Sequence, residues 1–255
     1  MPQEPFDVFA RFPRPRAEPS PRWVRVRLGD ETVADTRRAL LLMRYGSEGL
    51  PTYFVPREDV RRDLLEDDGE RDGLRRWTVR AGGREAPGAA WAYDEPPAGL
   101  EALAGHITFD WDALDWLEEE EPIAVHARDP YKRVDVLASS RHVAVSVGGE
   151  VVADSTRPHL LFETHLPVRY YLPREDVRMD LLDDSQHTTR CPYKGRARYW
   201  SVRAGGELHD DLAWSYEAPI PEQPRIAGLV AFFNERVDLR VDGEDQPRPI
   251  TPWSR

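Results

Sequence analysis

The 255-residue sequence predicts a mainly β protein with two tandem copies of one compact antiparallel domain. Each copy is expected to carry one short helix, and a pseudo-twofold axis should relate the two. Three observations support this fold class. The chain holds 23 prolines and few long helical patterns, which favours short strands joined by many turns. Apolar residues alternate with polar ones in several segments. These segments recur in the same order in both halves, as expected for a duplicated domain.

The first repeated element is a β-hairpin. Val24, Val26 and Leu28 alternate with arginines, and a Gly-Asp turn leads into a second strand. The same pattern returns from His142 to Asp154, with each apolar position shifted by 119 residues. A strand face that is apolar in both copies predicts one core for each.

Two further segments repeat at similar distances. Tyr53–Val60 matches Tyr170–Val177 at an offset of 117 residues. Trp77–Gly83 matches Trp200–Gly206 at an offset of 123 residues. The near-constant spacing over about 90 residues indicates two copies of the whole domain rather than a shared motif.

The short helix is predicted after Pro173. Proline and acidic side chains favour the first turn of a helix, and acids follow directly here. We expect Leu181 and Leu182 to be buried, while Arg174 and Asp183 should be exposed.

The repeat sets the expected boundaries. Residues 110–121 hold seven acids and are expected to form a solvated helix or linker face. The predicted parts are an extended Pro/Arg-rich arm at 1–21, a first β domain at 22–121, a linker at 122–138, a second β domain at 139–243 and a tail at 244–255. Trp253 is expected to dock on a domain surface.

Composition limits the function classes. A net charge of −11 disfavours a nucleic-acid binder, which needs a basic surface to displace counterions. No segment approaches the length of a membrane span, and the N-terminus does not resemble a signal peptide. The single cysteine excludes an internal disulfide and indicates a reducing, cytoplasmic location. A tandem chain can imitate a dimer, so a monomer or a weak homodimer is expected.

Metal and cofactor binding find little support in the sequence. The seven histidines are scattered, and His187 with Cys191 is the single close pairing of soft ligands. Tetrahedral zinc requires four ligands, or three and a water. We therefore expect neither a metal nor a cofactor.

The segment Arg190–Trp200 contains the most distinctive chemistry. It holds the lone cysteine, four cations, a proline, a glycine and three aromatic residues. Nearby cations favour the thiolate, so Cys191 is a candidate nucleophile. Lys194 could lower the thiol pKa, hold an anion or form an imine with a carbonyl. A small, buried structural cysteine on a solvated basic loop is the competing interpretation.

Two more charged residues could join this site. Glu163 could carry a proton if partly buried, and Arg169 could clamp a carboxylate or phosphate. A structural ion pair is an equally good explanation for both. The first copy has Arg44 in place of Glu163 and Thr52 in place of Arg169, and nothing there matches the Cys-Pro-Tyr-Lys-Gly segment. The first copy is thus predicted to be degenerate, with its site lost.

Aromatic residues could form the walls of the pocket. A planar or cationic ligand could stack on their faces, although ordinary core packing would also explain the two tryptophans, which recur in the first copy. The candidates are Tyr171, Tyr193, Trp200, Trp214 and Tyr216.

Several motifs of the second copy resemble the family catalogued as domain of unknown function 427. The resemblance covers about residues 22–255 and implies a compact all-β domain, a tent-like arrangement or a small barrel or sandwich, with a pocket. The matching segments are Val152–Ser155, Arg169–Val177, Cys191–Trp200, Trp214–Tyr216, Ile226–Phe233 and the linker His126–Val136.

The family also carries a nucleotidyltransferase-like label. That chemistry needs a Gly-Ser turn and paired aspartates that hold magnesium against phosphates. Asp110 and Asp112 are the obvious pair, but they lie in the first copy. Gly46-Ser47 is not followed by a helix-like pattern that carries acids. The sequence therefore favours a different function.

Two function classes remain. The protein is expected to be an enzyme that acts on a small anionic or carbonyl compound through Cys191 or Lys194. Alternatively, it is a non-catalytic module that binds a small anionic or planar molecule in an aromatic and cationic pocket. Rapid alkylation of Cys191 would favour the enzyme, because a buried structural thiol resists alkylation.

Overall fold

The computed structural model describes residues 4–254 and divides them into two compact units. Residues 13–129 form the first domain, and residues 130–254 together with 4–12 form the second domain. Each domain consists of one seven-stranded and one four-stranded antiparallel sheet. The mainly β, two-copy fold expected from the sequence is thus confirmed.

In the first domain, the long sheet gathers strands from the whole unit. In spatial order it contains β1 (Arg16–Pro19), β4 (Leu40–Met43), β5 (Thr52–Pro56), β9 (His106–Phe109), β8 (Arg84–Tyr93), β7 (Leu74–Ala81) and β6 (Leu65–Arg71). The short sheet contains β11 (Glu121–Ile123), β10 (Asp115–Glu118), β2 (Val24–Leu28) and β3 (Glu31–Thr36).

The second domain repeats this strand order. Its long sheet contains β12 (Val134–Ala138), β15 (His159–Glu163), β16 (Arg169–Leu172), β20 (Val230–Phe232), β19 (Glu207–Ser215), β18 (Gly195–Ala204) and β17 (Leu182–Cys191). Its short sheet contains β22 (Glu244–Gln246), β21 (Asp238–Val241), β13 (Val143–Val147) and β14 (Glu150–Ser155). The identical topology explains why the sequence segments recur in register.

Each long sheet has two chemically different faces. In the second domain, its inner face packs on the short sheet, and alternate residues such as Leu172, Ala213 and Val230 join the valines of β13 in one core. The opposite, outer face carries a separate cluster that includes Tyr171 and Trp214. Because neighbouring strand residues point to opposite faces, one sheet supports both a core and a site.

The expected short helix is two 3-10 turns, Arg174–Asp176 and Met179–Leu181. Helical geometry ends at Val177, which is extended and bridges to Ala153. Leu181 and Leu182 are partly buried against the inner core rather than fully buried, and Arg174 and Asp183 are half-buried rather than exposed. The proline and the acids therefore favour a first helical turn, and the pairing of Val177 with Ala153 prevents the helix from continuing.

The acidic stretch at 110–121 is not a solvated helix. It contains β10, in which Trp116 and Glu118 are buried. The Glu118 carboxylate accepts a hydrogen bond from Tyr53 at 2.7 Å and pairs with Arg22 at 2.9 Å. Because side chains alternate between the two faces of a strand, Trp116 and Glu118 are buried in a segment whose acidic composition indicated exposure throughout.

The domain boundaries also differ from the predicted ones. The first domain begins before residue 22, because β1 forms the edge of its long sheet. The linker is shorter than 122–138, since β11 and β12 belong to the sheets. Residues 1–3 of the predicted arm and Arg255 of the predicted tail lie outside the described residues.

The N-terminal arm and the C-terminal tail pack on each other within the second domain. The Val8 amide donates to the Ile250 carbonyl at 3.0 Å, and the Ile250 amide donates to Phe6 at 2.8 Å. Val8 is fully buried by this contact. The described residues include no helix that is both long and apolar enough to cross a lipid bilayer.

Candidate functional site

Strand register brings the predicted site residues to the outer face of the second long sheet. Leu161 pairs with Arg169, so Glu163, two residues beyond Leu161 on β15, shares the face of Arg169. Tyr171 and Trp214 both pair with Ala231 and therefore point to this same side. The candidate site is the surface that these side chains share.

Glu163 lies between two lysines. Its Oε2 contacts Lys194 Nζ at 2.5 Å, and its Oε1 contacts Lys132 Nζ at 3.1 Å. The side chains are 5% (Glu163), 12% (Lys194) and 9% (Lys132) exposed. We call these three residues the lysine–glutamate cluster. Two ammonium groups thus converge on one carboxylate.

The cluster fixes the protonation states of Glu163 and Lys194. Burial alone would raise the pKa of Glu163, but the charges and hydrogen bonds of Lys194 and Lys132 lower it to about 2. Burial opposes the charge on Lys194, yet Glu163 above all, with Cys191 and Tyr171, raises the pKa of that ammonium group. Glu163 and Lys194 are therefore both ionised at neutral pH.

A tight hairpin positions Lys194. Cys191 pairs with Gly195 across the end of β17 and β18, and the Lys194 amide donates to the Cys191 carbonyl at 3.3 Å. The Lys194 carbonyl in turn accepts from the Ile220 amide at 3.1 Å. These backbone bonds fix the lysine's position over the sheet face.

Gly195 allows the hairpin to approach the neighbouring chain closely. Its φ of +104° is a conformation that side-chain-bearing residues rarely adopt. A Cβ at this position would lie 3.3 Å from the Ile220 nitrogen and 3.5 Å from the Ala218 oxygen. The glycine thus makes room for residues 218–220 beside the hairpin.

Cys191 is half-buried at the base of this hairpin. It lies near enough to Lys194, Tyr199 and Tyr216 to act electrostatically on all three. Burial, followed by the charges of nearby tyrosines and Cys191, raises the pKa of Tyr216 well above its ordinary value. The thiol and the lysine thus belong to one neighbourhood, as the sequence predicted.

Tyr171 connects the charged groups electrostatically. Its hydroxyl accepts a hydrogen bond from Trp214 Nε1 at 3.2 Å. Burial raises the pKa of Tyr171 to about 12, and Lys194, Glu163 and Arg169 all act on the hydroxyl. The four side chains therefore converge on one face, and Tyr171 is a neutral hydrogen-bonding group at physiological pH.

Arg169 forms a buried pair with Glu235. The guanidinium donates twice to the carboxylate, at 2.7 Å for each bond, and Thr251 of the C-terminal tail donates to the same carboxylate at 2.7 Å. Burial raises the pKa of Glu235, but these hydrogen bonds and the Arg169 charge lower it below its ordinary value. One side of Arg169 is thus already engaged within the protein.

Aromatic rings surround the remaining sides of Arg169. Its guanidinium carbon lies 5.6 Å from the Trp214 ring centroid, 5.9 Å from Phe233 and 5.5 Å from Trp253. Such contacts favour a desolvated cation. Trp253 thereby joins the site, consistent with the docking expected for the tail.

The pattern of a known family matches both domains. The family described as Domain of unknown function (DUF427) matches residues 16–120 and 135–243. The chain belongs to the DUF427 family. The first match begins at the first residue of β1, so the edge strand is part of the DUF427 unit. A search of curated proteins found no match to the chain.

Two predicted residues lie elsewhere in the second DUF427 domain. Trp200 follows Tyr199, which points to the outer face, so Trp200 points to the inner face. There it is 3% exposed and packs in the core. Arg198 covers its ring at 4.5 Å. Tyr193 sits at the hairpin tip with its ring 5.5 Å from Lys132 Nζ. Trp200 therefore does not line the outer-face site, and Tyr193 borders it.

Sequence reasoning missed Lys132 and Glu235. Lys132 ends a Pro-Tyr-Lys tripeptide, as Lys194 does, and both lysines bind the same carboxylate. That repeated tripeptide was a usable signal. Glu235 follows β20 and pairs with an arginine 66 residues earlier in the chain, a contact that no local pattern indicates. In the described part of the chain, no three metal-binding side chains gather closely enough to hold an ion.

Proposed function

We propose that the second DUF427 domain binds a small anionic molecule with a flat body at the lysine–glutamate cluster. The observation that carries this proposal is that two lysine side chains converge on one buried carboxylate at the outer face. Two ammonium groups held side by side can donate charge-assisted hydrogen bonds to a bound anion. Lys132 and Lys194 would hold the anionic group.

The outer-face aromatic residues would contact the flat part of the ligand. Tyr199 and Trp214 pair across β18 and β19, so their rings share the face of the cluster. Tyr171 lies buried beneath this face, where its neutral hydroxyl accepts a hydrogen bond from the Trp214 indole and holds that ring in place. Small-molecule sites commonly combine such apolar walls with a few polar groups.

The ionic states favour binding over imine or proton-transfer chemistry. An imine forms from a neutral amine, but Glu163 holds Lys194 in its charged form. A general base must exchange its proton near the working pH, whereas the pKa of Glu163 is lowered to about 2. The non-catalytic module considered from the sequence is therefore the better-supported function for these two residues.

A pair of charge-removing variants tests this proposal. Lys194→Met neutralises the cluster and leaves Glu163 with Lys132, while Arg190→Met removes a cation from the exposed part of the same hairpin. Acetate, pyruvate, inorganic phosphate and adenosine monophosphate serve as probes in calorimetric titrations. We expect at least one probe to bind, and Lys194→Met to weaken it by about 2–5 kcal/mol.

Arg190→Met should bind the same probe with nearly wild-type affinity. Equal losses in the two variants would indicate a general charge effect and contradict the proposal. Failure of every probe to bind the wild-type protein would also contradict it. Thermal unfolding of both variants verifies that they remain folded.

The position of Cys191 supports covalent chemistry as a second candidate function. The thiol lies half-buried beside Lys194, where it could add to a ligand's carbonyl carbon while the carbonyl oxygen takes up the thiol proton. Because the chain has one cysteine, iodoacetamide can modify a single thiol. Alkylation faster than that of free cysteine, slowed by Lys194→Met, would favour this function. Slow alkylation in both proteins would exclude it.

A further inference from the structure

The first domain contains an open cleft of about 650 Å³, a volume within the range of small-molecule sites. The sequence indicated a lost site here, because this copy lacks the cysteine and the lysine. The cleft is nevertheless lined by positively and negatively charged side chains and by two indole rings. The side chains that matter are Arg44, Thr52, Trp91, Asp110, Trp111 and Asp112.

The cleft lies at the position that a buried Arg169–Glu235 ion pair fills in the second domain. Sheet register makes Thr52 equivalent to Arg169, and the offset of 123 residues makes Asp112 equivalent to Glu235. In the second domain these positions hold a buried bidentate ion pair. With threonine at one position, the first domain cannot form that pair, so Asp112 remains on the cleft wall.

Arg44 presents a cation to the cleft. Its Nε donates to the Leu50 carbonyl at 3.1 Å, and its guanidinium carbon lies 5.8 Å from the Trp91 ring centroid. Gly49 leaves room for this arrangement, since a Cβ there would lie 3.1 Å from Arg44 Nε. Within residues 4–254, no carboxylate lies within ion-pair distance of this guanidinium. Its remaining N–H groups can therefore receive a carboxylate.

Asp110 and Asp112 present negative charge to the same cleft. Among residues 4–254, neither forms an ion pair with a side chain, in contrast to Glu118 and Asp59 of the same domain. Both carboxylates are accessible to solvent and line the cleft. Partial burial, with the charge of Asp112, raises the pKa of Asp110 despite the charge of Arg76 and a hydrogen bond from Trp91.

The indole of Trp111 is held rigidly. Its Nε1 donates to Thr52 at 2.9 Å, and its ring stacks on Trp116 with a centroid distance of 4.4 Å. The Thr52 hydroxyl also bonds to Thr108 at 3.1 Å. A wall fixed in this way loses little conformational entropy when a ligand binds.

We propose that this cleft binds a small zwitterion, an α-amino acid with an aromatic side chain. Its carboxylate would bind Arg44, and its ammonium group would bind Asp110 and Asp112. Its aromatic body would contact Trp91 and Trp111. A ligand with both charges meets Arg44 and the two aspartates, whereas a simple anion or cation is attracted by one kind of charge and repelled by the other. This site is independent of the one proposed in the second domain.

The test uses three matched probes in calorimetric titrations of the full chain. L-phenylalanine carries both charges, 3-phenylpropionate lacks the ammonium group and phenethylamine lacks the carboxylate. We expect L-phenylalanine to bind at least about tenfold more tightly than either, since each charged contact contributes about one such factor or more. Absence of L-phenylalanine binding at about 10 mM, which corresponds to a very weak site, would overturn the proposal.

Three variants assign the charges. Arg44→Met should weaken L-phenylalanine about tenfold and leave phenethylamine unaffected. Asp110→Asn and Asp112→Asn should weaken L-phenylalanine and phenethylamine but not 3-phenylpropionate. The titrations are run in a Lys194→Met background, which removes the anion site proposed for the second domain, so that all three probes report on the cleft. Equal affinity of Arg44→Met and wild type for L-phenylalanine, or tighter binding of 3-phenylpropionate than of L-phenylalanine, would contradict the assignment.

Discussion

Replacing Glu163 with glutamine should destabilise the second domain strongly. The change keeps the side-chain shape but leaves two nearly buried ammonium groups next to each other without their carboxylate. Lowering the pKa from 4.5 to about 2, at about 1.4 kcal/mol for each pH unit, corresponds to about 3 kcal/mol. Removing one partner of a buried ion pair typically costs about 3–5 kcal/mol, which agrees with this value.

The effect of Glu163→Gln should also depend on pH. Because the folded-state pKa is lowered, Glu163 stabilises the fold above its ordinary pKa of 4.5 and loses this contribution as the pH falls towards about 2. The difference in the free energy of unfolding between wild type and Glu163→Gln should be constant above about pH 5. Below pH 4.5 it should shrink.

Urea unfolding from pH 3 to pH 8, with hydrogen exchange to follow the second domain, measures this difference. Asp180→Asn is the matched control, because Asp180 pairs with Arg178 on the surface and both side chains are more than half exposed. That control should lose less than about 1 kcal/mol. A loss below about 1 kcal/mol for Glu163→Gln, typical of surface pairs, would refute the cluster's energetic role, as would a pH-independent difference.

Four further substitutions, of which Gly206→Ala is a control, test the packing of the second domain by urea unfolding. Gly206→Ala should lower the free energy of unfolding by about 1–2 kcal/mol because of its positive φ. Gly195→Ala should lower it by about 1–3 kcal/mol more, because its Cβ also meets backbone atoms. Equal losses would show that the close approach at Gly195 costs nothing. Thr251→Val removes a hydrogen bond to buried Glu235 and should cost about 1–3 kcal/mol; a neutral result would mean that the tail is loosely held. Leu181→Ala should cost about 1–2 kcal/mol, less than the 2–5 kcal/mol of fully buried leucines, since Leu181 is partly buried.

The sequence predicted the duplicated scaffold because local patterns specify it. The alternating valines of β13 and the Gly-rich turn after them determine a hairpin without help from distant residues. The grouping of Cys191, Lys194 and Glu163 was also predictable, since the contrast between the copies pointed to it. These predictions relied on information contained within short segments or on internal comparison.

The remaining features depend on long-range contacts. Trp200 was assigned to the ligand site because the sequence does not show to which face of the sheet a side chain of β18 points. The strand register decides this. The segment with buried Trp116 appeared solvated because composition hides a strand's alternation. The first-domain cleft lies where Thr52 and Asp112 replace the ion pair of Arg169 and Glu235 in the second domain. The difference is recognised only by comparing the two folded domains. Pairings of this kind join residues too far apart for sequence patterns to connect.

The most direct test of the proposed function observes the cluster itself. Nitrogen-15 NMR of the lysine side chains can detect buried ammonium groups, and the chain has only two lysines, Lys132 and Lys194. Titration with acetate, pyruvate, phosphate and adenosine monophosphate should shift both signals saturably for at least one probe, and Lys194→Met should abolish that response in the remaining signal. Signals that stay unchanged with every probe would show that the cluster holds the fold together without binding an anion.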